Sequence, residues 1–158
     1  MKSDTAVENR WVVTKNEELL LSSESIARVG DLLHDIECDA HGQVTLWERK
    51  GEVAGLFSWP KLLSPLTGPA QTHRMHFDLS WIEDVAAIIF YDAQGGEYRV
   101  IADADIEPSD EIRRHLSFGE VLPLGLEYCL AKERAFELAQ LYTRETKMPT
   151  EVRYDFVR

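Results

Sequence analysis

The run Val85-Ala86-Ala87-Ile88-Ile89-Phe90-Tyr91 constrains this chain more than any other stretch. It carries no charge between Asp84 and Asp92, and its Ile-Ile-Phe-Tyr end favours strand over helix. A continuous apolar run of this length suits a strand covered on both faces. Asp92, Gln94, Gly95 and Gly96 then form a turn, in which the glycines supply the positive φ a tight reversal needs. Glu97 to Ala102 returns as the second strand. A helix crossing both glycines would lose about 1 kcal/mol at each relative to alanine. The pattern predicts a hairpin over 84–103 at the centre of a sheet.

The rest of the chain arranges itself around that hairpin. Trp11–Thr14 is a short strand, Lys15–Glu18 a turn, and Leu19–Leu21 leads into Ser22 and Ser23 as helix-capping residues. Ile26, Val29, Leu33 and Ile36 share one face of an amphipathic helix over about 24–36. Asp39–Gly42 is a turn, and Gln43 to Trp59 reads as a second hairpin ended by Pro60. Residues 61–71 carry two prolines and a glycine and form an irregular loop. Residues 72–80 follow as a strand with Met75, Phe77 and Leu79 on one side. Ser109 caps a short helical turn, Leu126–Leu130 alternates as a strand, and a helix spans 132–144. Val152, Tyr154 and Phe156 alternate in a closing strand. The expected fold is a single α+β domain, a mainly antiparallel β-sheet with two principal helices, with residues 1–10 frayed.

Composition narrows the partners. The formal net charge of −11 disfavours direct contact with nucleic acid or an anionic membrane and permits binding a basic protein, the plainer reading being solubility alone. No run reaches the roughly 20 apolar residues of a membrane span, and residues 1–10 lack the apolar centre of a signal peptide. Cys38 and Cys129 have no metal or redox spacing, which fits a reduced, cytoplasmic protein.

The chemistry on offer is sparse. No nucleophile elbow, phosphate loop or dinucleotide fingerprint is present, and no cofactor is expected. The densest acidic stretch holds Asp103, Asp105, Glu107, Asp110 and Glu111 with no Lys or Arg among them. On a strand, Asp103, Asp105 and Glu107 would line one face and could take a metal with a histidine, as in a small hydrolase-like enzyme. Pro108 at the sixth position excludes an EF-hand loop. The other readings are a solvated edge or a partner-binding patch. His73 and His76 would point to opposite faces of a strand and not share a metal. Trp47, Trp59 and Trp81 suit the core. An exposed Trp59 or Trp81 beside the 61–71 loop would instead anchor an interface.

Residues 84–156 resemble the bacterial polymorphic-toxin immunity proteins of the Imm-one type. The likeness is carried by Leu126–Leu130, then Ala135 and Tyr142 on a helix, then Pro149, Val152 and Tyr154. Ala131 stands where those proteins usually have Pro, Thr146 where they have Gly, and Tyr154 where they have Trp. The resemblance implies a cytosolic, non-enzymatic inhibitor that plugs a cognate toxin, often one acting on nucleic acid. The carboxylates of 103–111 would then meet toxin Lys and Arg. A regulatory adaptor is the alternative without a toxin.

Overall fold

The computed structural model describes residues 10–49 and 73–158. The expected strand at 53–59, Trp59 and the 61–71 loop lie outside those residues. The described residues build an eight-stranded antiparallel sheet and three helices, an α+β fold as expected. The strands are β1 (Trp11–Lys15), β2 (Glu18–Ser23), β3 (His41–Arg49), β4 (His73–Ile82), β5 (Val85–Tyr91), β6 (Glu97–Ile101), β7 (Leu130–Ala131) and β8 (Arg153–Phe156). The helices are α1 (Ile26–Ile36), α2 (Asp110–His115) and α3 (Lys132–Glu145). Sheet order is β2-β1-β3-β4-β5-β6-β8, with β7 pairing β5.

The hairpin forms as its sequence requires. β5 is buried along nearly its whole length and pairs with β4, β6 and β7. Its even positions, Ala86, Ile88 and Phe90, join the main core with Val29, Leu33, Phe136 and Leu138 from α1 and α3. Its odd positions turn to the opposite face, where Val85 and Ala87 pack with Leu116, Leu124 and Cys129. Period-two geometry thus splits one apolar run between two cores. In the turn, Gly95 takes φ +83°, and Asp92 Oδ1 accepts from the amides of Gln94 at 2.9 Å and Gly96 at 2.7 Å.

Several elements differ from the sequence reading. Glu18–Ser23 is a strand, so Ser22 and Ser23 do not cap α1. Ser25 is the N-cap, and Ser23 Oγ accepts from its amide at 3.1 Å. His41 and Gly42 belong to β3, not to the preceding turn. Leu126–Tyr128 is a single 3-10 turn, which leaves Leu130–Ala131 as the strand. Ser109 does cap α2, its hydroxyl accepting from Ile112 N at 3.3 Å. Helix α3 ends on Thr146, whose φ of +54° is the left-handed conformation that glycine adopts at least cost.

One irregularity matters for the site. β3 and β4 pair Leu46 with Phe77 and Trp47 with Met75, so His76 is an extra residue in β4. Such a bulge puts two consecutive side chains on one face. Phe77 and His76 therefore both point toward α3, and Met75 does not alternate with Phe77 and Leu79 as expected. Arg74 then returns to the side of His76, opposite Glu48.

Candidate functional site

The expected site residues fall into two groups. Asp103, Asp105, Glu107, Asp110 and Glu111 are all exposed. The first three follow the end of β6 in a non-strand segment, so the strand geometry that would align them for a metal is absent. Among the described residues, no group of three or more His, Cys, Asp or Glu is placed to hold a metal ion. Asp103 lies 3.9 Å from Arg134 Nε, and Asp110 pairs with Arg113 one turn along α2. Asp105, Glu107 and Glu111 have no ion pair among the described residues.

Two exposed aliphatic side chains follow α2 in the chain. Val121 is 96% exposed and Leu122 74%. Their loop is fastened to α2 on its C-terminal side. Leu124 N donates to Arg113 O at 3.0 Å, and Arg113 Nη1 donates to Leu124 O at 2.9 Å. On its N-terminal side Glu120 Oε1 accepts from Arg99 at 2.6 Å. An apolar knuckle is thus tied to the C-terminal half of α2, whose first turn carries Asp110 and Glu111 and whose last turn carries Arg113 and Arg114. The sequence reading passed over it because residues 116–122 fit neither a period of two nor one of 3.6.

Trp81 belongs to neither surface. It is fully buried, contrary to the expected interface role, packs edge-on to Phe136 at 5.1 Å, and donates from Nε1 to Asp39 O at 3.0 Å. Gly42, its partner across β3 and β4, leaves the space its ring occupies. A Cβ on Gly42 would lie 2.7 Å from that ring.

The most concentrated polar chemistry lies where the bulge places it. His76 Nε2 donates to Glu48 Oε2 at 2.7 Å, and its Nδ1 accepts from the Tyr142 hydroxyl. Only this tautomer fits, because a carboxylate can only accept. Arg10 Nε donates to the other oxygen of Glu48 at 2.6 Å. Burial is the largest influence on His76 and holds its pKa below the usual imidazole value, against the opposing pull of Glu48. Burial pushes the Glu48 carboxyl up, but hydrogen bonds from Arg10 and His76 together bring it below the usual carboxylate range. Glu48 and His76 line a cavity of about 500 Å³ with Arg74 and Arg10. Both nitrogens of His76 are engaged, by Glu48 and by Tyr142, which is itself 2% exposed.

Cys129 has no catalytic setting, and Cys38 is exposed. Cys129 is buried, and burial pushes its thiol up to about 11, which keeps it protonated and unreactive at neutral pH. Among the described residues no helix is long and apolar enough to cross a membrane. No protein-family model matches the chain, and no curated protein matches it.

Proposed function

We propose that this chain is an immunity-type inhibitor that binds a basic protein toxin, one acting on nucleic acid, and occludes its active site. One observation carries the reading. Exposed carboxylates at 105–111 lead into helix α2, whose Arg113 ties down the loop that leaves Val121 and Leu122 exposed. An apolar centre with a charged margin is the anatomy of a protein interface. A site built to hold nucleic acid is basic, so an acidic strip is steered to it and competes with substrate.

The test pairs the protein with the product of the adjacent gene. Coexpression should restore growth to cells poisoned by that product, through a one-to-one complex of about nanomolar Kd, or roughly −12 kcal/mol. Reversing Asp105, Glu107, Asp110 and Glu111 to Lys should slow association at least tenfold and flatten its salt dependence. Val121→Asp should speed dissociation. Rescue with unaltered rates in the charge-reversed variant would move the interface elsewhere. No complex and no rescue would remove the inhibitor reading.

A further inference from the structure

We infer that the groove between α1 and α3 is a docking cleft for a basic amphipathic helix of a partner protein. The groove encloses about 870 Å³ and lies on the sheet face opposite α2. It is therefore a separate surface from the 105–122 strip and does not depend on the reading above.

Its shape follows from one close approach. Gln140 Nε2 donates to Gly30 O at 2.8 Å, which ties α3 to the backbone of α1. A Cβ on Gly30 would meet Gln140 Oε1 and Thr143 Oγ1 at 3.1 Å, so the missing side chain lets the helices touch here. Beside this contact Ile26, Ala27 and Phe136 form an apolar floor. By helix rise, the two walls run about 16 and 21 Å, long enough to seat about three helical turns.

The rim is acidic and largely uncompensated. Asp31, Asp35 and Glu37 line the α1 side and Glu133 the α3 side, and none of the four has an ion pair among the described residues. Arg144 is the arginine among the lining residues. Like charges lining one groove repel, and a cationic occupant removes that cost. Helical walls offer no unpaired sheet edge, so an occupant is recognised through side chains, as a helix laid in a groove, rather than by strand addition. Its apolar face would meet the floor, and its Lys and Arg the rim.

The probe is an 18-residue Lys/Leu amphipathic peptide, with a Glu/Leu peptide of the same pattern as control. In a two-dimensional amide spectrum the Lys/Leu peptide should shift Ala27, Gly30, Gln140 and Thr143, and the control should not. Asp31→Asn, Asp35→Asn and Glu133→Gln combined should weaken binding at least tenfold. These positions are exposed, so the fold should be retained, as the spectrum itself will report. Reversal of the 105–111 carboxylates should leave the affinity unchanged. Shifts confined to 103–122, equal binding by the triple variant, or no binding at all would each overturn the inference.

Discussion

His76 and Glu48 are joined by a 2.7 Å hydrogen bond on neighbouring strands, and both are more than nine-tenths buried. The folded chain resists protonating His76, whereas the unfolded chain takes the proton near pH 6.5. The unfolded state therefore binds more protons just below that pH, and stability falls as pH drops through it. Glu48, also depressed, adds a further loss as pH falls through the carboxylate range. His76→Gln should flatten the dependence between pH 7.5 and 5.5, read from urea midpoints. A slope equal to that of the parent chain would mean that other groups set it.

Asp78 carries the opposite sign. Burial is the main cause that pushes its carboxyl up to about 6, although Gln43 and Thr45 donate to it at 3.1 and 3.2 Å. Its charge thus costs stability above about pH 6, and the cost is relieved as pH falls toward the unfolded value of 3.8. Asp78→Asn keeps an acceptor for Gln43 and removes the charge. It should stabilise the protein by about 2 kcal/mol at pH 8, with the gain vanishing near pH 4. Equal stability of the two forms at pH 8 would contradict this. The His76 slope is best read in the Asp78→Asn background, where the opposing titration is gone.

Gly42→Ala should cost about 1–3 kcal/mol, because the new methyl meets the Trp81 ring and overpacks a rigid core. The cost should shrink when Trp81 is already Phe, whose ring is shorter. A double-mutant cycle by chemical denaturation should therefore give a coupling of about 1 kcal/mol. An additive cycle would place the strain elsewhere.

Thr146→Gly should stabilise by about 1 kcal/mol. A β-branched residue at φ +54° sits in a conformation that glycine occupies without steric cost. The gain is partly offset by glycine's extra freedom in the unfolded chain. A thermal melt that falls instead of rising would show the offset to be larger.

The elements legible in the sequence were those whose period is long and unmixed. Helix α3 shows its buried face through Ala135, Leu138, Ala139 and Tyr142, and the β5 run admits no other element. Strand β2 was hidden because Leu19, Leu20 and Leu21 lack alternation and two serines follow, a pattern equally suited to a helix start. Trp81 looked able to reach the surface because the space made for it belongs to Gly42, 39 positions away. The polar centre was illegible for a sharper reason. Alternation assigns His76 and Phe77 to opposite faces, and a bulge specified by no local residue type puts them on the same one.

That bulge makes the polar centre a separable insertion. Without residue 76, Leu79, Phe77 and Arg74 would keep their side of β4, and Asp78 and Met75 the other. A chain shortened by that one residue should fold with its ladder in register and lack only the imidazole. Gain or loss of a single codon would therefore make or break the link between Glu48 and Tyr142 while leaving the sheet's architecture unchanged.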